Sequence, residues 1–251
     1  RFQQYEGANK IVERVINGNV KKGLIWHFQG SGKSLLMVFA AQKLRKTTEL
    51  KSPTIIVLVD RIDLDTQISG TFNAADVPNI ESTDSIRELQ QLLQQDARKI
   101  IISTIFKFKD AIPNMNTRDN IIVLVDEAHR TQEGDLGRQM RAALPNAFLF
   151  GLTGTPINKV DTNTFWAFGA EEDQGGYLSR YTFQESIRDK ATLQLHFEPR
   201  LVDVHIDAEA MDEAIAAFYE SVALSDDEAD ALNKKTVSMS VFLKAPDRVN
   251  K

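Results

Sequence analysis

Short, almost uninterrupted apolar runs alternate along the chain with longer stretches in which apolar residues recur every three or four positions. The runs predict strands at residues 23–27, 54–59, 99–103, 121–125 and 147–152. The last four are nearly continuous in Val, Ile and Leu, as is typical of parallel strands covered by helices on both faces. The intervening periodicity predicts helices, most clearly at residues 34–44, 85–93 and 136–144. Strands separated by helices predict an α/β fold with a doubly wound, mostly parallel sheet.

The apolar pattern changes after residue 169. Residues 193–207 alternate as in an extended segment, and residues 208–222 have the spacing of an amphipathic helix. We therefore expect residues 1–168 to form the main domain, and residues 169–251 to complete it and to form a helical bridge toward a second domain. The chain begins at Arg1 and not at Met, so we interpret it as part of a longer protein.

Composition permits one large domain and excludes several kinds of site. The 251 residues are 42% hydrophobic and 26% charged, which is typical of a globular protein. The absence of cysteine excludes disulfides, a thiolate zinc site and a cysteine nucleophile. The apolar runs are too short to cross a membrane, so we expect no membrane partner. The net charge of −5 counts against a dedicated sequence-reading nucleic-acid module, but it leaves local contacts with phosphates open.

A phosphate-binding loop is predicted where the first strand meets the first clear helical pattern. Residues 27–34 read HFQGSGKS and match the pattern G-x-x-x-x-G-K-[ST], except that His27 stands in place of the first glycine. In this pattern backbone N–H groups turn toward the phosphates, the lysine reaches the β and γ phosphates, and the final hydroxyl ligates Mg²⁺. A chance glycine turn with an exposed lysine is the alternative, which the strand–loop–helix context disfavours. The predicted binding residues are Gly30, Ser31, Gly32, Lys33 and Ser34.

An acidic pair follows the strand predicted at residues 121–125. In a nucleotide hydrolase Asp126 would hold Mg²⁺ through its water shell, and Glu127 would orient the attacking water and accept its proton. Alone, such a pair is more often a solvated turn, but its place downstream of a phosphate loop favours the catalytic interpretation. We interpret His129 as a coupling residue, because no second His or carboxylate lies at zinc spacing.

Three segments together resemble motifs I, II and III of superfamily 2 helicases and translocases, namely residues 30–34, 126–129 and 151–156. Residues 1–4 resemble the glutamine motif that reads adenine. Residues 59–67 resemble motif Ia of the motor (R) subunits of type I restriction enzymes, and residues 126–130 and 181–191 also look like that family. The chain thus resembles the first RecA-like, P-loop domain of such a subunit.

The resemblance implies roles for individual residues. Gln4, or less plausibly Gln3, would read the adenine, and Lys33 with Asp126 and Glu127 would form the catalytic centre. The residues implied to couple the nucleotide state to the grip on DNA are His129, Thr153 and Thr155. The residues implied to face the DNA backbone are Arg61, Gln67, Ser103 and Thr104. For these last positions, a helix cap or a surface charge is an equally good interpretation of the residues alone.

As a whole, the resemblance implies an ATP-dependent translocase on duplex DNA that uses ATP and Mg²⁺. It would act in the bacterial cytoplasm with modification (M) and specificity (S) subunits, as part of a site-specific deoxyribonuclease. Neither the second RecA-like domain, with its catalytic arginine, nor a nuclease motif is found in these 251 residues. We therefore expect this chain alone to bind ATP, to turn it over weakly and not to cut DNA.

Other interpretations stay open at this point. The motor could belong to another superfamily 2 helicase or to a type III restriction subunit. The chain alone could act as a nucleotide-binding module with little turnover. A small-molecule phosphotransferase is less consistent with the sequence, because it leaves residues 153–156 unexplained.

Overall fold

The computed structural model describes residues 2–59, 62–95, 97–128, 135–157 and 164–194, with backbone only for residues 62–67 and 135. The described strands are β1 (Lys22–His27), β2 (Thr54–Val59), β3 (Ile80–Ser82), β4 (Ile100–Thr104), β5 (Ile121–Val125), β6 (Phe148–Thr153) and β7 (Ser179–Tyr181). They form one sheet in the order β3-β4-β2-β5-β6-β1-β7, and every neighbouring pair runs parallel. The predicted fold class is confirmed.

Helices cover both faces of this sheet. They are α1 (Phe2–Asn17), α2 (Lys33–Lys46), α3 (Ile62–Ala74), α4 (Ile86–Gln94), α5 (Asp135–Ala143), α6 (Thr164–Phe168) and α7 (Phe183–Arg188). Buried residues of α1, α2 and α3 share one apolar cluster with one face of the strands, whereas those of α4, α5 and α6 share a second cluster with the other face. This two-sided burial explains why β2 and β5 are apolar at every position except Thr54.

The predicted element boundaries are close to the observed ones. Strands β2 and β5 have the predicted limits, and β4 and β6 begin and end one residue later than predicted. Helix α4 begins after Ser85, because the Ser85 hydroxyl oxygen accepts a hydrogen bond from the backbone N–H of Glu88 at 3.2 Å.

The pattern of apolar residues missed helix α1 and the three-residue strands β3 and β7. Helix α1 buries small side chains, among them Ala8, and it packs so closely on α2 that a Cβ on Gly7 would lie 2.6 Å from the Leu36 side chain. A strand of three residues is too short to show a period.

Contacts between Cα atoms divide the chain into two units, Arg1–Gln194 and Leu195–Lys251. Strand β7 and helix α7 lie beyond residue 168 and belong to the first unit, since β7 pairs with β1. The extended segment predicted at residues 193–207 falls almost wholly outside the described residues, as does the whole helix predicted at 208–222. In the described part of the chain, no helix combines the length and the apolar character that crossing a membrane requires.

Two glycines provide a matched test of this packing. A Cβ on Gly151 in β6 would lie 2.6 Å from the ring of Phe168 and 2.9 Å from the Cβ of Ala128, whereas a Cβ on Gly70 inside α3 would meet nothing within 4 Å. Gly151→Ala should lower the free energy of unfolding by about 1–3 kcal/mol through overpacking. Gly70→Ala should raise it by about 0.5–1 kcal/mol, because alanine favours the helix. Urea denaturation measures both values, and equal stability of the two variants would contradict the packing described.

Candidate nucleotide site

The candidate site lies where three neighbouring strands end at the same edge of the sheet. In the register of β1 with β6, Trp26 lies opposite Thr153, and in that of β5 with β6, Val125 lies opposite Gly151. The residues that follow these strands are therefore brought side by side, although more than a hundred residues of chain separate the first strand from the last. The sheet assembles the predicted motifs I, II and III along one edge, where ligands bind in open α/β sheets.

The loop after β1 turns sharply and presents the start of a helix. Its turn is closed by a hydrogen bond from the N–H of Ser31 to the carbonyl of Phe28 at 3.1 Å. Gly30 and Gly32 have φ values of 80° and 89°, in the left-handed region that favours glycine. Gly32 precedes α2 and has no side chain with which to cap its first N–H groups. Those groups and the positive end of the helix are suited to an anion.

The segment after β6 lies directly against this loop. A Cβ on Gly154 would lie 3.2 Å from the backbone nitrogen of Gln29 and 3.5 Å from Nζ of Lys33. The indole Nε1–H of Trp26 donates to the Gly154 carbonyl at 3.1 Å, which holds the segment in place. Lys33 is itself buried. The predicted phosphate-binding lysine and the predicted motif III thus meet in one site.

The two predicted coupling threonines occupy different environments. Thr153 is fully buried, and its hydroxyl oxygen accepts a hydrogen bond from the backbone N–H of Thr155 at 3.1 Å. Thr155 itself is exposed beside the loop. This bond fixes the turn that follows β6. The third predicted coupling residue, His129, lies outside the described residues.

The acidic pair begins immediately after β5. The backbone N–H of Asp126 donates to the Leu58 carbonyl at 2.8 Å, which continues the pairing with β2, and the Asp126 side chain is buried. Glu127 has a φ of 46°, in a region that residues other than glycine rarely adopt. Backbone strain of this kind is concentrated at functional sites, where the surrounding structure holds it.

The donors present at this edge fit Mg²⁺. The predicted ligands are the hydroxyl of Ser34 and the carboxylate of Asp126, and both are oxygen donors. Mg²⁺ keeps several waters and binds one or two carboxylates together with substrate phosphates, so a full cage of protein ligands is not required. Among the described residues, no group of three or more His, Asp or Glu side chains is placed to hold a metal ion by itself.

Gln4, in helix α1, is bonded to the loop. Its side-chain Nε2 donates to the Ser31 carbonyl, and a Cβ on Gly32 would lie 2.5 Å from that nitrogen. The amide oxygen of Gln4 is buried and makes no hydrogen bond. One end of this side chain is therefore used to hold the loop, and its contact with adenine stays a prediction.

His27, which breaks the general loop pattern, is the last residue of β1 and is almost completely buried. Its Nε2 lies 2.9 Å from the hydroxyl oxygen of Ser179 in β7. Burial, and then the positive charge of Lys33, lower the pKa of His27 to about 4. Glu6 and Glu185 oppose this shift, and Lys10 adds to it. The ring is therefore neutral at physiological pH.

The structure adds residues of the last strand and helix, to which motif reasoning assigns no contact with the loop. The carbonyl of Tyr181 accepts a hydrogen bond from the N–H of Phe28 at 3.0 Å, and the rings of Phe28 and Phe183 lie 4.5 Å apart. Phe183 is placed by a capping box: the Thr182 hydroxyl accepts from the Glu185 N–H, and the Glu185 carboxylate accepts from the Thr182 N–H. The hydrogen bonds that the Thr182 N–H and hydroxyl donate to the Glu185 carboxylate lower the pKa of Glu185.

The predicted contacts with DNA receive little support from this conformation. Ser103 is fully buried and its hydroxyl pairs with that of Thr83 at 2.9 Å, and Thr104 is buried as well. The contacts of Ser103 and Thr104 with DNA therefore stay predictions, for side chains that are buried in this conformation. Arg61 and the side chain of Gln67 lie outside the described residues, so their contacts with DNA stay predictions.

Comparison with known proteins identifies a family. The sequence model of the SWI2/SNF2 ATPases matches residues 3–229. The MjaIXP type I restriction enzyme endonuclease subunit named in Methanocaldococcus jannaschii is 32% identical over all of this chain and 25% of its own length. The type I restriction enzyme HindI endonuclease subunit of Haemophilus influenzae is 38% identical over 78% of this chain and 21% of its own length. The resemblance to this group of subunits is confirmed, and the chain spans about a quarter of the length of these relatives.

Solved structures share the fold at low sequence identity. The Hef helicase domain of Pyrococcus furiosus is 18% identical, with a TM-score of 0.53 over 90% of this chain and 47% of that one. A nuclease-deletion mutant of the Type ISP restriction-modification enzyme LlaGI, in complex with a DNA substrate mimic, is 16% identical, with a TM-score of 0.50 over 95% of this chain and 24% of that one. These likenesses support the RecA-like architecture.

The buried His27 gives the fold a dependence on pH. The pKa of His27 is 6.5 in the unfolded chain and about 4 in the folded chain. The stability that accompanies its neutral form is therefore complete above pH 6.5 and is lost as the pH falls toward 4. The loss is on the order of 3 kcal/mol, since one pKa unit corresponds to about 1.4 kcal/mol.

We expect the free energy of unfolding to fall less in His27→Gln than in the wild type when the pH is lowered from about 7 to about 4.5. Glutamine does not titrate, whereas the remaining titratable groups are common to both chains. Urea denaturation at several pH values measures the two slopes. Identical slopes would contradict a buried, neutral His27.

Proposed function

The chain belongs to the SWI2/SNF2 ATPase family, and from this we propose that it is the ATP-binding motor domain of a type I restriction enzyme endonuclease subunit. The proposed activity is ATP hydrolysis that drives movement along duplex DNA. The observation that carries the proposal is the contact of Gly154, after β6, with Lys33 and Gln29 of the loop. This close approach supports a single site that contains the predicted phosphate-binding loop and the predicted motif III, which would couple the nucleotide state to motion.

In the proposed mechanism, ATP binds with its phosphates in the loop. Lys33 would contact the β and γ phosphates, backbone N–H groups of residues 30–34 would cradle them, and the amide oxygen of Gln4 would accept a hydrogen bond from the adenine amino group. Ser34 and Asp126 would hold Mg²⁺. When bound, Mg²⁺ neutralises part of the charge on the terminal phosphates.

Glu127 would act as the base in hydrolysis. The oxygen of a water molecule attacks the γ-phosphorus, the bond from that phosphorus to the β–γ bridging oxygen breaks, and Glu127 takes the proton from the water. ADP leaves with the bridging oxygen, and phosphate is released. The left-handed backbone at Glu127 would aim the carboxylate, since a change of φ there turns the side chain away from its present direction.

Coupling to DNA would begin at the turn after β6. Thr153 and Thr155 are joined by a hydrogen bond and lie beside Gly154, which contacts the loop. A change in the loop on loss of the γ-phosphate would therefore reach this turn directly. In the longer subunit, a second RecA-like domain would supply the arginine that stabilises the transferred phosphoryl group, and losing such an arginine costs about 1,000-fold or more in rate.

The proposed setting follows from the relatives. They are named as subunits of type I restriction enzymes, so we propose a bacterial or archaeal complex with modification and specificity subunits, working on duplex DNA in the cytoplasm. Cleavage of DNA would belong to a nuclease domain elsewhere in that subunit.

Two other functions compete with this proposal. Another superfamily 2 motor is compatible with the fold, which the Hef helicase domain shares. A nucleotide-binding module with little turnover is favoured, for this chain alone, by its coverage of about a quarter of each relative. Displacement of the third strand of a triplex by the complete subunit would distinguish the proposed translocase from another superfamily 2 motor that unwinds DNA. A duplex translocase displaces the third strand without unwinding the duplex.

Two substitutions separate binding from hydrolysis. Lys33→Ala should abolish ATP binding, whereas Glu127→Gln should keep ATP bound and reduce DNA-stimulated turnover in the complete subunit by about 100-fold or more. Equilibrium binding of a fluorescent ATP analogue and phosphate release measure the two effects. Glu49→Gln, at an exposed glutamate in the loop between α2 and β2, is the matched control and should change neither. Normal hydrolysis by Glu127→Gln would show that another group is the base.

A further inference from the structure

We propose that His27 and Ser179 are a positioning pair that holds the phosphate loop in its binding conformation, a task that the general loop pattern leaves to its first glycine. The inference rests on the proposed binding of ATP and adds two residues to that site. Neither residue is among those predicted to bind the phosphates. Both would act through the backbone of Phe28, from which the turn of the loop starts.

The start of the loop is attached to β7 by backbone and side-chain hydrogen bonds. Pairing of β1 with β7 aligns His27 with Tyr181, and the N–H of Phe28 extends the ladder by donating to the Tyr181 carbonyl at 3.0 Å. The contact between Nε2 of His27 and the Ser179 hydroxyl at 2.9 Å adds a side-chain bond across the same two strands. The rings of Phe28 and Phe183 add an apolar contact on the far side of the loop.

Hydrogen bonds link Phe28 to the predicted binding residues. The carbonyl of Phe28 accepts the hydrogen bond from Ser31 that closes the turn, and the carbonyl of Ser31 accepts from Gln4. Gln29 and Gly30, between them, are exposed. The loop is therefore held at Phe28 and at Ser31, and a shift of Phe28 would move the turn that places Gly32 and Lys33.

The side chain of His27 makes contacts that a glycine at this position could not make. Its ring is almost completely buried, packs edge-on against Tyr181 with centroids 6.0 Å apart, and lies close to α1, where a Cβ on Gly7 would be 3.4 Å from Cε1. Its Nδ1 is buried without a hydrogen bond, so we assign the proton to Nε2, which then donates to Ser179. A buried nitrogen acceptor costs less when it is unsatisfied than a buried N–H does.

This arrangement leads to an expectation opposite to the one from the motif alone. His27→Gly restores the general pattern, yet it removes the bond to Ser179, empties a buried space and frees the backbone before the turn. It should therefore weaken binding of ATP with Mg²⁺ by about tenfold, the change that loss of one such bond with added backbone freedom produces. His27→Gln, whose amide nitrogen can take the place of Nε2, should stay within about twofold of the wild type.

The test measures three quantities on the 251-residue chain: the dissociation constant of ATP with Mg²⁺, hydrogen exchange of the amides at residues 30–34 without nucleotide, and the thermal midpoint. The variants are His27→Gly, His27→Gln, Ser179→Ala and the double variant His27→Gly/Ser179→Ala. The pair predicts faster exchange and weaker binding in His27→Gly and Ser179→Ala. It also predicts a double variant no weaker than His27→Gly, because both changes remove the same bond.

Thr54→Val is the matched control for a loss of stability. Thr54 is buried at the start of β2, at the opposite edge of the sheet, and its hydroxyl donates to the Ala97 carbonyl at 2.7 Å. This variant should lower the thermal midpoint while leaving the dissociation constant and the exchange of residues 30–34 unchanged. If it weakens ATP binding as much as His27→Gly does, the effect is one of general stability and the proposal is wrong.

Failure of the proposed function and failure of the pair can be told apart. If the wild type binds ATP and His27→Gly binds it equally well with unchanged exchange, the pair is refuted and the function stands. If the wild type does not bind ATP, the proposed function fails, and loop exchange still decides on the pair. Faster exchange in both single variants, but not in Thr54→Val, would support it, and unchanged exchange would overturn it.

Discussion

The parallel pairing of β1 with β6 and of β6 with β5 is the constraint on which the candidate site depends. Hydrogen bonds fix the relative positions of these strands to within one residue, since a slip by one residue would turn buried side chains toward the other face. All three strands end at the same edge of the sheet, so the residues that follow them lie close to one another. The close approach of Gly154 to the loop is a consequence of this register, and so is the position of Asp126, which follows the pair of Val125 with Gly151.

Local geometry then adapts the chain to the crowded edge. Gly154 leaves room for Gln29 and Lys33, Gly32 leaves room for Gln4, and Glu127 adopts a left-handed backbone although it has a side chain. The first two close approaches cost little, because glycine has no Cβ that would clash with the neighbouring atoms. The strain at Glu127 costs on the order of 1–3 kcal/mol and must be offset by the packing of β5 and its neighbours.

Much of this could be predicted from the sequence, for a physical reason. Strands β2 and β5 are buried on both faces, so every residue in them except Thr54 is apolar, and this apolar run marks their limits. The phosphate loop is recognisable because its glycines and lysine serve one local geometry. Contacts such as that between His27 and Ser179, which are 152 positions apart, leave no local trace, and β7 is too short for a period. His27 could be recognised as irregular, but its partner could not. The burial of Ser103 was equally hidden, because a serine at a strand end has the same appearance in the sequence whether it faces solvent or Thr83.

Among the described strands, β7 lies at the end of the sheet and pairs with β1 alone. Its three residues run parallel to β1, so a mechanical load applied along the axis of β7 would act across its hydrogen bonds. Bonds loaded in this direction share the force and must break together, unlike those of a strand peeled from its end. The bond from the Phe28 N–H to the Tyr181 carbonyl would be loaded together with them, so force along β7 would reach the candidate nucleotide site.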